Sequence, residues 1–358
     1  MSRFLNACYQ GLEAYVPGEQ PTDMAYIKLN TNESPYPPSD AVIAAVTKEE
    51  TEKLRLYPDP ECGALRDALA ESFHTSRENI FVSNGSDDIL NFAFMAFAGL
   101  GGKAVFPSIT YGFYKVFSQL HGIDYETISL NKDFTISPED YFHKNALVVI
   151  ANPNAPTGLI LSTEQVEAIV KNNPGSVVLI DEAYIDFGGT SCAPLVSKYD
   201  NLLVVQTFSK SRSLAGARLG FAVGNKDLIA DLEKIKYSTN PYSINRLSLL
   251  AGAAAVNSPA YYKEKCGEIV KVREFAKAEL KKQGFFVTDS FANFLFVKKE
   301  GVSGEYIYRK LREKGILVRH FNTPEIADFN RITVGTKEQM NALIEALKTI
   351  EKESQVEQ

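Results

Sequence analysis

From about residue 60, short unbroken apolar runs alternate with segments whose apolar residues recur at helical spacing, and this alternation is what most constrains the fold. The runs cover residues 80–82, 103–106, 146–150, 177–180, 202–205 and 219–223. A strand with one face in water alternates apolar and polar residues, so continuous Val, Ile and Leu demand cover on both faces. Segments 63–73, 87–97, 111–120 and 163–170 can supply that cover, and Ser162 or Thr163 ahead of Glu164 and Gln165 marks a helix start. The expectation is an α/β domain with a mostly parallel sheet flanked by helices.

After residue 223 the pattern changes. Residues 225–235 read as helix, 238–242 as a break, and 244–280 as a long helical tract interrupted at Asn257-Ser258-Pro259. Strand-like segments 290–297, 315–318 and 330–334, with helices over 304–314 and 337–351, predict a smaller α+β domain. A chain of 358 residues also exceeds the size at which one hydrophobic core keeps growing. We therefore expect a large domain over 46–240, a small one over 241–358, and an extended arm over 1–45, rich in Pro and polar residues, that belongs to the small domain. No internal repeat or low-complexity tract interrupts this division.

Hydrophobic residues at 45% and charged residues at 23% are ordinary globular usage. A formal charge of -6, from 38 basic and 44 acidic residues, leaves no broad basic field for nucleic acid or an anionic membrane, so the expected partner is a small molecule. Cys8, Cys62, Cys192 and Cys266 form no C-x-x-C or Cys/His pattern, and His74, His121, His143 and His320 lack metal-ligand spacing. Neither a metal site nor a disulfide framework is expected, and a reducing compartment fits. The first ten residues hold no sustained apolar run and nowhere do 18 apolar residues follow one another, which reads as cytoplasmic and unanchored.

In parallel α/β sheets ligands bind beyond the carboxyl ends of the strands, so the polar residues after each run are the first candidates. Ser83-Asn-Gly-Ser-Asp-Asp88 is a Gly-containing turn into an apolar helix; it reads either as an anion cradle or as a turn with Ser86 or Asp87 as N-cap. Asn152-Pro-Asn-Ala-Pro-Thr-Gly158 is a rigid polar turn whose asparagines present amides, or a plain loop. Asp181 ends the run 177–180, with Tyr184 three residues on; a carboxylate there needs a cation or a strong donor. After 202–205 comes the segment from Thr207 to Gly220, with Lys210 among small residues, Ser209 beside it and Arg218 eight residues later. That setting suits a Schiff-base lysine, whose neutral amine is the nucleophile toward an aldehyde.

Taken together and in this order, the asparagine–proline turn, Asp181-Glu-Ala-Tyr184, Ser209-Lys210 and Arg218 resemble the fold-type I pyridoxal-phosphate aminotransferases. Within them the chain is similar to the histidinol-phosphate aminotransferases through Tyr15-Val-Pro-Gly18, Leu29-Asn-Thr-Asn-Glu-Ser-Pro-Tyr36, Arg55-Leu-Tyr-Pro-Asp-Pro60, Pro107-Ser-Ile-Thr-Tyr-Gly112 and Arg331-Ile-Thr-Val-Gly335. The similarity runs from about residue 8 to 350.

The resemblance implies roles. Lys210 would bind pyridoxal 5'-phosphate covalently and then move the substrate proton; Asp181 would pair with the pyridinium N–H, Tyr184 would donate to the ring hydroxyl oxygen, and Tyr111 would stack on the ring. The cofactor phosphate would meet the backbone of Ser86 and Asp87, the Ser209 hydroxyl, Arg218 and Tyr57 of the partner subunit, which makes the functional unit a homodimer. Many relatives carry Asn where this chain has Ala155; Asn152 or Asn154 would stand in for it. Arg319 and Arg331 would hold the substrate phosphate, with Tyr15 closing the pocket; Arg319 reads otherwise as a solvated strand-end residue.

The implied reaction is transamination of L-histidinol phosphate with 2-oxoglutarate, giving imidazole-acetol phosphate and L-glutamate, in histidine biosynthesis. A threonine-phosphate decarboxylase or a broad aromatic or aspartate aminotransferase would use a similar residue set. A non-catalytic regulator on this scaffold would need a DNA-binding extension that the sequence does not carry.

Overall fold

The computed structural model describes residues 2–99 and 101–357. Strand β1 (Ile27–Lys28) lies in the N-terminal arm, and the large sheet is built from β2 (Ile80–Ser83), β3 (Lys103–Pro107), β4 (Asp124–Ile128), β5 (Leu147–Ala151), β6 (Val178–Asp181), β7 (Leu202–Thr207) and β8 (Gly220–Gly224). Their spatial order is β2-β8-β7-β6-β5-β3-β4. The expected apolar runs all become strands. Residues of odd and even number face opposite layers: Val148, Ile150, Val178 and Ile180 pack in one core, Leu147, Val149 and Leu179 in another.

Two features depart from the simplest parallel sheet. β8 runs antiparallel to both β7 and β2, because the connection after β7 holds one short 3-10 turn, Ala215–Ala217, and no α-helix to carry the chain back across the sheet. β4 is a further strand at the edge, where Asp124, Tyr125, Glu126 and Thr127 are exposed; an edge strand needs no apolar run, so none announced it.

The chain enters β4 from β3 on one side of the sheet and resumes with β5 on the other, so a topological switch point lies between β3 and β5. The carboxyl ends of β2, β3, β5, β6 and β7 share one edge with the start of β8. The first helix-start expectation holds at that sheet: Ser162 caps the helix Thr163–Lys171 by accepting from the Gln165 amide, while the Gln165 side chain accepts from the Ser162 amide.

The smaller sheet is antiparallel in the order β12-β13-β10-β9, where β9 is Phe285–Val287, β10 Phe294–Lys299, β12 Arg319–His320 and β13 Asn330–Thr333. β1 pairs in parallel with β11 (Ile316–Leu317), which ties the arm to this domain. The division expected at residue 240 needs correcting. Helix Arg246–Val256 packs on helices Asp40–Ala45 and Gly63–Ser72, and its Ala251 and Ala255 share the large-domain core with Leu65 and Leu69. The next helix, Pro259–Lys282, puts Tyr262 in that core and Ala276 and Leu280 in the small-domain core. At 24 residues it spans about 36 Å, long enough to serve both domains.

Beside the site, Glu182 buries a carboxylate that accepts from the Cys192 amide at 2.6 Å, the Ser191 hydroxyl at 2.6 Å and the Gln206 amide at 2.8 Å. These bonds tie the loop after β6 to β7. Each buried donor left unpaired costs about 1–3 kcal/mol. Glu182→Ala is therefore expected to lower unfolding free energy by about 3 kcal/mol or more, against about 1 kcal/mol for removing the exposed helix cap in Ser162→Ala. Urea unfolding of the two variants checks this, and equal losses would mean that the buried network adds nothing beyond a surface cap.

Candidate active site

The shared strand edge opens into a cavity of about 410 Å³ lined from both domains and from the arm. Tyr15, Ser86, Asp87, Tyr111, Asp181, Tyr184, Ser209, Lys210, Arg218, Arg319 and Arg331 all line it. Sequence positions spread over more than 300 residues are thus gathered by the topology, since each sits just past a strand end or on the facing small domain.

Lys210 lies half-buried at the centre, its Nζ donating to the Thr31 carbonyl at 3.1 Å. Desolvation, aided by the positive charge of Arg331, lowers its pKa to about 8. Asp181, at the tip of β6, is fully enclosed. Burial raises its carboxyl to about 6, against the opposing hydrogen bonds from the Tyr114 hydroxyl at 2.8 Å and the Ala183 amide at 3.2 Å. No cationic side chain pairs with it among the described residues. Tyr114 is a residue the sequence reading missed; three positions after the cavity-lining Tyr111, it is wholly buried and reaches Asp181 from behind the cavity wall.

The turn after β2 is shaped for close backbone approach. Gly85 has φ +83°, and a Cβ there would stand 2.8 Å from Arg218 Nη2; a Cβ on Gly220, at the start of β8, would stand 2.4 Å from the Ser86 nitrogen. No side chain fits between the helix start at Ser86, the guanidinium of Arg218 and the strand beneath. Helix N–H groups, the Ser209 hydroxyl and Arg218 together form a donor set suited to a phosphate. Arg218 meanwhile pairs with Asp87 at 3.0 Å, and the other Asp87 oxygen accepts from Tyr111 at 2.8 Å.

A second group of cations comes from the small domain. Arg319 on β12 and Arg331 on β13 are direct cross-strand partners. Like charges placed opposite one another cost stability unless an anion sits between them. Arg331 is half-buried, lies 5.4 Å over the Phe294 ring and donates one hydrogen bond to the Asn30 carbonyl, and its buried Nε has no partner among the described residues. Arg319 differs from the expected free anion ligand: it donates to the Val16 carbonyl at 3.0 Å and the Pro17 carbonyl at 3.2 Å, clasping the arm. The clasp holds Tyr15 stacked on Phe113 at 4.2 Å and edge-on to Tyr111 at 6.1 Å.

Three expected residues lie elsewhere. Asn152 exchanges two hydrogen bonds with the Leu161 backbone, and Asn154 is engaged by Thr110, Thr157 and the Ile109 carbonyl. Asn152 is consumed in shaping its own turn and Asn154 in tying that turn to the loop after β3, so neither replaces the missing side chain at Ala155, which does line the cavity. Tyr57 is 78% exposed and stacks on Tyr242 at 4.5 Å, outside the cavity of its own chain. Conversely the arm contributes Asn32, whose amide donates to the Tyr184 hydroxyl at 3.0 Å, and Glu33, held by Lys28 and Thr31. The motif around residues 29–36 was the available signal, but local spacing gives no hint of a contact across some 150 residues.

Residues 25–347 match the family described as aminotransferase class I and II. A histidinol-phosphate aminotransferase of Brachyspira hyodysenteriae is 50% identical over 351 residues, covering 98% of this chain and 99% of the relative. One from a Marinomonas species is 50% identical over 353 residues, covering 98% and 100%. Among solved structures, the histidinol-phosphate aminotransferase of Sinorhizobium meliloti in complex with pyridoxal-5'-phosphate superposes with a TM-score of 0.88 at 25% identity, covering 98% of each chain. Matched over most of its length by the family model and at 50% identity by full-length relatives, the chain belongs to the class I and II aminotransferases and, within them, to the histidinol-phosphate aminotransferase family.

Proposed function

We propose that this protein is a pyridoxal 5'-phosphate-dependent aminotransferase that converts L-histidinol phosphate and 2-oxoglutarate to imidazole-acetol phosphate and L-glutamate, in histidine biosynthesis. The observation that carries the substrate assignment is the pairing of Arg319 with Arg331 across two strands at the cavity wall, which calls for a substrate anion separate from the one cradled at Ser86 and Arg218. Near-identity in length and 50% identity to enzymes of that name support the same substrate.

The cofactor, when bound, supplies an aldehyde and an electron-withdrawing ring that stabilises negative charge on the substrate carbon. Lys210 would present a neutral amine to that aldehyde, and its Nζ would take and return the substrate proton. Asp181 holds the proton at the ring nitrogen; its burial without a cationic partner is what makes a pyridinium welcome there. Tyr184 donates to the ring hydroxyl oxygen, and Tyr111 orients the ring face. The amides of Ser86 and Asp87, the Ser209 hydroxyl and Arg218 bind the phosphate. Arg331 and Arg319 take the substrate phosphate, Arg319 while also fixing the arm, and Tyr15 closes the pocket over it.

The working unit is a homodimer in which Tyr57 of the partner subunit completes the phosphate site. Its support is the exposure of six large apolar side chains near Tyr57 in sequence or in contact with it, Ile43, Val46, Leu54, Leu56, Tyr57 itself and Tyr242, which stacks on Tyr57. Among the described residues no helix is long and apolar enough to cross a membrane. The cytoplasm, where this small-molecule chemistry would meet its substrates, is the proposed location.

Half-reactions test the assignment. Mixed separately with histidinol phosphate, threonine phosphate, phenylalanine and glutamate, the holoenzyme is expected to convert to its amine form with histidinol phosphate and glutamate. Carbon dioxide released from threonine phosphate would point to a decarboxylase instead. Arg319→Ala is expected to lower kcat/KM for histidinol phosphate about 10- to 150-fold, the equivalent of ~1.5–3 kcal/mol from one charge-assisted contact. Competitive acylation of the cofactor-free protein should show Lys210 reacting with a midpoint near pH 8: burial disfavours its ammonium, so the reactive amine appears at lower pH than at surface lysines. A midpoint near 10 would place the amine in water. Finally, mixing inactive Lys210→Ala with an impaired Tyr57→Phe variant should regain activity, because hybrid dimers hold one intact site; no recovery, with hybrids verified, would count against shared sites.

A further inference from the structure

The Tyr184 hydroxyl has one proton to give, and where it points is decided outside the cavity. Its oxygen accepts from Asn32 Nδ2 at 3.0 Å, so its proton is free to point into the cavity. This holds only while the Asn32 amide keeps its nitrogen toward Tyr184. Flipped by half a turn, it would present Oδ1, and the phenol proton would turn away from the cavity to meet it.

Thr333, the last residue of β13, decides between the two orientations. The Asn32 backbone N–H donates to Thr333 Oγ1 at 2.9 Å, and a backbone amide can only donate. The threonine proton is then available to Asn32 Oδ1, 3.1 Å away. With the amide flipped, that buried proton would have no acceptor among the described residues, at a cost of about 1–3 kcal/mol. The backbone of Asn32 is itself pinned: its carbonyl accepts from Asn293 Nδ2 at 2.9 Å, and it sits at φ +56°, a conformation Asn tolerates better than most side chains. Thr333 and Asn32 are both buried, and Thr333 does not line the cavity.

We infer that Thr333 is a positioning residue which, by locking the Asn32 amide, fixes Tyr184 as a hydrogen-bond donor into the active site. The small domain thereby sets the hydrogen-bonding direction of a large-domain phenol through a residue of the arm. The inference rests on the proposed cofactor reading, in which the acceptor is the ring hydroxyl oxygen. Donation to that oxygen favours its deprotonated form, so loss of the donor raises the pH at which the bound chromophore deprotonates. The other charged and titratable groups around the phenol, Arg331, Asp181, Tyr15 and Lys210, whose Nζ is 6.0 Å from the ring centroid, are unchanged by substitution at 333.

The experiment is a pH titration of the holoenzyme's cofactor absorbance. A hydrogen bond to an anionic oxygen contributes about one to two pH units, so Tyr184→Phe should raise the midpoint by that much and Thr333→Val by about one unit. Thr333→Ser, which keeps the hydroxyl, should titrate like the parent. The double variant should shift no further than Tyr184→Phe alone, since both act through one proton. Thr333→Ala removes the same hydroxyl without adding a methyl group and takes the place of the Val variant should that one not fold. A Thr333 variant that titrates like the parent, or whose shift adds to that of Tyr184→Phe, overturns the inference. A parent protein that never acquires the cofactor's absorbance overturns the reading beneath it, and the inference with it.

Discussion

The site depends on a carboxylate held at the tip of a central strand, with no cationic side chain paired to it among the described residues. Asp181 ends β6 between strands that are buried on both faces, so water cannot solvate it from the sides. Among the described residues only the Tyr114 hydroxyl and the Ala183 amide donate to it, and burial still pushes its carboxyl up to about 6. A group so placed is poorly satisfied as an anion and stabilises a positive partner that arrives from the cavity. The Tyr114 hydroxyl donates to Oδ2 and the Ala183 amide to Oδ1, so each oxygen keeps lone-pair capacity for that partner.

Around this buried negative charge the positive groups are divided between the domains. Arg218 comes from the turn into β8, with Asp87 moderating its charge; Arg331 and Arg319 come from the small sheet. Lys210 stands between, and the nearby Arg331 helps to keep its amine neutral. Neither domain alone assembles both cation groups. Domain packing through helix Pro259–Lys282 and the arm is therefore part of the chemistry as well as of the stability, and the arm is held at both ends of its run, by Arg319 at Val16 and Pro17 and by β13 at Leu29 and Asn32.

How much of this was legible in the sequence follows from where each residue gets its constraint. The strands at 80–83, 147–151 and 178–181 were legible because burial on both faces leaves an unbroken apolar run; β4 was not, because an edge exposed to water has no need of one. Asp181, Lys210 and Arg218 stood out as polar residues at strand ends, where composition contrasts with what precedes it. Asn152 and Asn154 stood out for the same reason, yet Asn152 is absorbed by its own turn and Asn154 by the loop after β3. The domain boundary was misplaced because helix Arg246–Val256 has the same periodicity whichever core it joins. Tyr114 and Asn32 carry no local mark at all, since their partners lie 67 and 152 positions away.

By itself the sequence determined the α/β class, the run of strand-end residues and the lysine at their centre, because hydrophobic periodicity and local chemical contrast are properties of neighbours along the chain. Only the tertiary structure decided which amides were free, that Arg319 grips the arm while facing the cavity, that two arginines confront each other across β12 and β13, and that a threonine outside the cavity governs a tyrosine within it. Those outcomes turn on the direction of donors and acceptors brought together from distant segments. Hydrogen bonding is directional and saturable, whereas the hydrophobic pattern that folds the chain is neither.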